Sequence, residues 1–210
     1  MLGTEDTNIV SALYQLKGQS IFSHAVQRVQ SEMTNNFYIL KKVTCRRGIP
    51  NTLRCQVALR DPGMVWKSGE NQFLVDTQGV VYSKIITLTD EDRQSLIYVE
   101  DKRNVGVQLG EMIANHEIIE TMITANKLFK EKGYQIGSLS IDESFYQFTL
   151  NLTGADDGKA FPTVKPLPVI LTTSYSIDSQ IAAATQLLDT KSSEIKAQID
   201  LRVQGYAYYK

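Results

Sequence analysis

Val43–Gly63 reads VTCRRGIPNTLRCQVALRDPG, two alternating runs around a turn, and this stretch decides the fold. Val43 and Cys45 alternate with polar neighbours, and Leu53, Cys55, Val57 and Leu59 alternate with Arg54, Gln56 and Arg60. A period of two is the mark of a strand with one face buried. Between the runs, Gly48-Ile49-Pro50-Asn51 supplies turn chemistry, so the stretch reads as a β-hairpin. Asp61-Pro62-Gly63 clusters turn residues where a first folded unit closes.

A hairpin buried on one face needs a cover, and the residues upstream supply it. Ile9, Val10, Leu13, Tyr14 and Leu16 stand at helical spacing, and Gly18 stops the run as a C-terminal cap does. Ser23 is placed to cap a second helix in which Phe22, Val26, Val29 and Met33 recur every three or four residues. Residues 1–61 therefore read helix, helix, strand, strand.

Downstream, the second unit opens with Trp66 and a hairpin, Phe73–Val75 and Val80–Tyr82 around Asp76-Thr77-Gln78-Gly79. Leu96–Val99 reads as a further strand. Ile118, Met122, Ala125 and Phe129 mark the apolar stripe of a longer helix, with Lys127, Lys130 and Lys132 near its C-terminal dipole and Gly133 beyond. Leu139 and Ile141, then Tyr146, Phe148, Leu150 and Leu152, give two strands of a meander. Residues 154–168, with three prolines and two glycines, read as a long surface loop before a strand at Val169–Thr173. Asp178 is placed to cap a last helix carrying Ile181, Ala184 and Leu188. Ile195, Ala197, Ile199, Leu201 and Val203 then alternate without a break, which predicts a final strand with one buried face.

The bulk properties agree with an ordinary folded chain. Its 210 residues exceed a single domain of roughly 100–150 residues, so one large domain or two unequal ones both fit. Hydrophobic residues are 42% and charged residues 21%, too apolar for a disordered chain. Lys and Arg total 22 against 23 Asp and Glu, with no long run of one sign, so nucleic acid and anionic lipid are not expected partners. The most apolar stretch, Pro168-Val169-Ile170-Leu171, falls far short of the roughly 20 residues of a membrane helix.

Residues of chemical interest are sparse. His24 and His116 are the two histidines, and neither neighbours the cysteines or carboxylates that a metal site or a catalytic pair requires. No glycine-rich phosphate loop is present. Asp156-Asp157 is too few oxygens for calcium, and Asn151-Leu152-Thr153 matches a glycosylation sequon inside an expected strand. No catalytic residue, metal site or cofactor is expected. Cys45 and Cys55 fall opposite each other across the first hairpin. They read either as two small buried hydrophobes or as a cross-strand disulfide, and the spacing leaves both open.

Three groups of residues, taken together, resemble the FtsQ/DivIB cell-division proteins. Val43-Thr44-Cys45-Arg46-Arg47, Pro50–Val57 and Arg60-Asp61-Pro62 are similar to that family's strand, Pro-x-x-Leu turn, strand and closing Arg-x-Pro, although Leu59 stands where the family often has Glu. Trp66 and Phe73–Val81 are similar to its tryptophan and Val-Asp-x-x-Gly hairpin. Ile199-Asp200-Leu201-Arg202 is similar to the Asp-hydrophobic-Arg signature of its last long strand.

The resemblance implies an α+β protein. A POTRA-like domain of residues 1–61, two helices on a small mixed sheet with its first strand largely missing, precedes a β domain of residues 62–210. The latter is larger, mainly antiparallel, and carries two helices. The resemblance further implies a non-catalytic scaffold on the extracytoplasmic face of the bacterial membrane at the division septum, anchored through a segment outside this sequence. Its expected partners are division proteins of the FtsB/DivIC and FtsL type. The alternatives are a POTRA-containing protein of outer-membrane assembly or secretion, and an enzyme of unknown type.

The contact is expected at the C-terminal strand. Past Gly205 the alternation puts Tyr206 and Tyr208 with Arg202 and Gln204 on the polar face, and exposed aromatics beside arginine are enriched at protein interfaces. Arg202, Val203, Gln204, Tyr206 and Tyr208 are the expected partner-binding residues. If that strand is an edge, its free main chain accepts a partner strand; a loose tail packing back on the sheet is the plainer alternative.

Overall fold

The computed structural model describes residues 7–14, 26–50, 52–86 and 96–210. The chain divides into two compact units, Met1–Asp61 and Pro62–Lys210.

The first unit contains helices α1 (Thr7–Tyr14) and α2 (Val26–Asn36) and strands β1 (Leu40–Gly48) and β2 (Thr52–Leu59). Leu16, Gly18, Phe22, Ser23 and His24 lie outside the described residues. Helical spacing puts Ile9 of α1 and Val29 and Met33 of α2 inward, where they close a small core with Leu40, Val43 and Cys45. Tyr14, expected on the same stripe, points outward.

Strands β1 and β2 pair antiparallel with Cys45 directly opposite Cys55, and a disulfide joins them. This ladder is the unit's sheet among the described residues, and a third strand is not among them. Leu59 is exposed, at the end where a bulge between Leu40 and Lys42 interrupts the register.

The ladder's other face is polar, with Lys42, Thr44 and Arg46 opposite Ala58, Gln56 and Arg54. The hairpin is also of one sign in charge: residues 40–60 hold six Lys and Arg and no Asp or Glu.

Among the described residues, the second unit is built on a nine-stranded sheet. Its strands are β3 (Pro62–Ser68), β4 (Asn71–Asp76), β5 (Val81–Ile85), β6 (Ile97–Asp101), β7 (Tyr134–Ile141), β8 (Gln147–Ala155), β9 (Leu167–Thr172), β10 (Ile199–Asp200) and β11 (Tyr208–Tyr209). Their order is β11-β10-β9-β8-β7-β6-β3-β4-β5. Five neighbouring pairs are antiparallel, and β3–β6, β6–β7 and β9–β10 are parallel.

Among the described residues, helix α3 (His116–Glu131) lies in the crossover between the parallel strands β6 and β7 and helix α4 (Ile177–Lys191) in that between β9 and β10, whereas the connection from β3 to β6 includes β4 and β5. Helix α3 packs on β7, α4 packs on β9, and the helices touch each other. The core beneath them includes Trp66, Val99, Met122, Phe129, Leu150, Val169 and Leu188.

Several local expectations shift. Pro62 and Gly63 begin β3 rather than a turn. The inward stripe of α3 runs through Ile119 instead of Ile118. Ser176, not Asp178, caps α4, its hydroxyl accepting from the Ser179 amide, while Asp178 sits in the first turn. Tyr146 precedes β8 and is exposed.

The largest correction concerns the expected final strand. Ile195, Ile199 and Leu201 are buried as the alternation requires, but Ala197 and Val203 are exposed and the ladder is confined to Ile199–Asp200. That segment is not an edge: Ile199 faces Val169 of β9 on one side and Tyr209 of β11 on the other. Addition of a partner strand to Ile199–Asp200 is therefore excluded.

Candidate functional site

The candidate surface is the C-terminal margin of the large sheet, and its foundation is a buried amide. Gln180 of α4 is fully buried; its Oε1 accepts from the Thr172 amide at 2.9 Å, and its Nε2 donates to the carbonyls of Thr172 at 2.8 Å and Tyr175 at 3.1 Å. One side chain thus satisfies main-chain groups at the end of β9 and the entry to α4, which burial would otherwise leave unpaired. Tyr175, held by this network, donates its hydroxyl to the Leu201 carbonyl. Burial, and then the nearby Asp200 carboxylate, hold that phenol above its ordinary pKa.

Leu201 opens the segment that carries the expected contact residues. Arg202 grips Asp200 with Nε on Oδ1 at 2.9 Å and one terminal nitrogen on Oδ2 at 2.6 Å. Its other terminal nitrogen donates to the Gln147 side chain of β8 at 3.0 Å, and its amide returns to Asp200 Oδ1 at 3.1 Å. Bidentate geometry of this kind fixes a guanidinium in orientation as well as in place. Hydrogen bonding from Arg202 is the main cause holding the Asp200 carboxyl below the usual aspartate value.

Beyond Arg202 the chain reverses. The Tyr206 amide donates to the Val203 carbonyl at 3.1 Å, and Gly205 takes φ +81°, a conformation that favours glycine. The reversal brings Tyr208 opposite Asp200 and Tyr209 opposite Ile199. Period-two alternation then splits the tyrosines. Tyr209 packs on the core and donates its hydroxyl to Glu194 at 2.7 Å, and Lys191 pairs with the same carboxylate at 3.0 Å. Those two contacts, the tyrosine's first, hold the Glu194 carboxyl below its ordinary range. Tyr206 and Tyr208 turn outward and stack, ring centroids 6.2 Å apart at 16°.

All five expected residues thus meet on one stretch of surface. Val203 is 49% exposed, Tyr206 64% and Tyr208 55%, with Arg202 and Gln204 exposed beside them. They sit on a turn and the two-residue margin β11, not along a continuous strand. Tyr175, Gln180 and Gln147 were not expected. The signal for Gln180 was present, since it falls on the same helical face as Ile177, Ile181, Ala184 and Leu188.

Elsewhere in the second unit, a groove of about 250 Å³ lies between β6, β7 and α3. Its lining includes Tyr98, Asn126, Lys130 and Ser138 but no carboxylate or imidazole. Asp156-Asp157 forms no metal cluster, and none occurs among the described residues. His116 begins α3 with Nδ1 2.8 Å from the Thr77 carbonyl. No described helix is long and apolar enough to cross a membrane.

No protein-family model matches the chain. Among curated proteins it is similar to the cell division protein FtsQ of Rickettsia bellii, of Rickettsia felis and of Rickettsia conorii. Each is 30% identical over 82 residues, 39% of this chain. The match spans 30% of the length of each of these relatives.

Proposed function

We propose that this chain is a non-catalytic scaffold of the FtsQ/DivIB type, standing on the extracytoplasmic face of a bacterial membrane at the division septum. The observation that carries the reading is the 82-residue likeness to FtsQ. The order of the two units, a small helix-and-hairpin unit followed by a large β unit, supports it. Residues 1–61 take the POTRA role and residues 62–210 that of the β domain.

In this reading the chain holds division proteins of the FtsB/DivIC and FtsL type through Arg202, Val203, Gln204, Tyr206 and Tyr208. The tyrosine stack supplies apolar area, and Arg202, already fixed by Asp200, offers its guanidinium with little further ordering cost. Main-chain pairing, where it contributes, is limited to the outer margin of Tyr208–Tyr209, because Ile199–Asp200 is flanked on both sides.

Calorimetric titration of the chain with the ectodomain of the FtsB/DivIC-type protein from the same organism tests this. Saturable binding is expected, and Tyr206→Ala with Tyr208→Ala should weaken it by about 2–4 kcal/mol. No binding by the native chain would refute the partner. Undiminished binding by the folded double variant would refute the site.

A further inference from the structure

We propose that the β1–β2 hairpin of the first unit is a contact site for an anionic phospholipid surface, a role that does not depend on the partner reading above. Charge is divided unevenly along the chain: residues 1–61 hold eight Lys and Arg against four Asp and Glu, and residues 62–210 hold fourteen against nineteen. Within the first unit the cations concentrate further, six of them in residues 40–60 with no acid among them.

The register sets Arg46 directly opposite Arg54. Like charges in facing positions destabilise a ladder, so this pair is a cost to the hairpin when it stands alone. Lys41, Lys42, Arg46 and Arg54 are all exposed and form no ion pair among the described residues. An anionic surface laid on this face neutralises the repulsion and meets each head group with a donor.

The hairpin apex chooses between kinds of anionic surface. Ile49 is 98% exposed, next to Gly48 at the end of the ladder where Arg46 faces Arg54. An acidic protein segment would satisfy the arginines and leave this aliphatic side chain in water. A bilayer takes both, with the guanidinium groups at the phosphates and the isoleucine in the boundary between head groups and acyl chains. Basic residues around an apolar tip are the chemistry of interfacial binding.

The test is flotation of the full, unreduced chain with vesicles of phosphatidylcholine alone and of phosphatidylcholine mixed with phosphatidylglycerol, at rising salt. Binding is expected to the mixed vesicles only, and to fall as salt rises. Each cation removed should weaken partitioning about fivefold, so Arg46→Glu with Arg54→Glu should reduce it by well over tenfold. Ile49→Ser should weaken it severalfold at every salt concentration, and Lys132→Glu in the second unit should leave it unchanged.

Circular dichroism and thiol counting check that the variants fold with the disulfide intact. Should the double arginine variant misfold, Lys42→Gln with Ile49→Ser, at two exposed positions, must give the same loss. Absence of flotation with the mixed vesicles, equal flotation with phosphatidylcholine alone, or native binding by the folded variants would each overturn the proposal. So would a chain that binds soluble polyglutamate but no vesicle, which belongs to an acidic protein partner.

Discussion

At the scale of single residues, one ion pair and one buried amide hold the candidate surface in shape. The Arg202–Asp200 fork couples it to pH in a defined direction. The folded state depresses the Asp200 pKa below its ordinary value, so the unfolded chain takes up the proton first as pH falls. The fork's contribution is therefore complete above about the ordinary aspartate pKa and disappears as pH drops through the lower folded value. Thermal melts of the native chain and of Asp200→Asn should differ by a constant amount from neutral pH down to about the ordinary aspartate pKa and converge as pH falls through the lower folded value. A gap that instead closed between pH 7 and 5 would place the effect on another group. Gln180 acts by burial. Gln180→Leu keeps the volume but strands the amide and carbonyl of Thr172, and a loss of about 2–4 kcal/mol is expected in urea unfolding. Retained stability would mean that water or a rearranged backbone replaces the amide. The sequence displayed this residue plainly, one glutamine on a stripe of isoleucine, alanine and leucine, but nothing in the pattern named Thr172 as what it binds.

At the scale of elements, periodicity reported burial in part and hydrogen bonding poorly. In residues 195–203 it identified Ile195, Ile199 and Leu201 as inward, yet a ladder forms at Ile199–Asp200 alone. Alternation describes which way side chains point, and a chain can keep that direction while its main chain leaves the sheet. The turn back to β11 was out of reach because it rests on the Arg202–Asp200 fork and on Gly205, neither of which alters the hydrophobic pattern. The Asp76–Gly79 turn was legible for the opposite reason: its chemistry is local. Gly79 takes φ +86°, and a Cβ there would stand 2.2 Å from the Ala114 carbonyl oxygen. Gly79→Ala should therefore disturb both the β4–β5 turn and the segment leading to α3, by more than the roughly 1 kcal/mol expected from backbone conformation alone. Hydrogen exchange would reveal this as lost protection at Val80 and Ile113, whose amides flank the turn. Unchanged exchange at Ile113 would confine the damage to the turn.

At the scale of the whole molecule, the chain closes two apolar cores of unequal size, one in each unit. The smaller belongs to a unit of roughly sixty residues, a length at which a core alone is marginal. Here the Cys45–Cys55 bridge has its effect. It closes a short loop, and the chain-entropy argument assigns such a loop about 3 kcal/mol of stabilisation, most of it through the unfolded state. Separate cores predict separate melting transitions rather than one. Reduction with a membrane-permeant phosphine should lower the first unit's transition by roughly 10–20 °C, given the steep dependence of Tm on free energy in small domains. The second unit contains no cysteine, so its transition should stay where it was. Calorimetry before and after reduction checks both halves of the statement, and Cys45→Ala with Cys55→Ala should reproduce the reduced trace without any reductant. A single transition that moved as a whole on reduction would mean that the 210 residues unfold as one cooperative body, and the division of labour assigned to the two units would lose its thermodynamic footing.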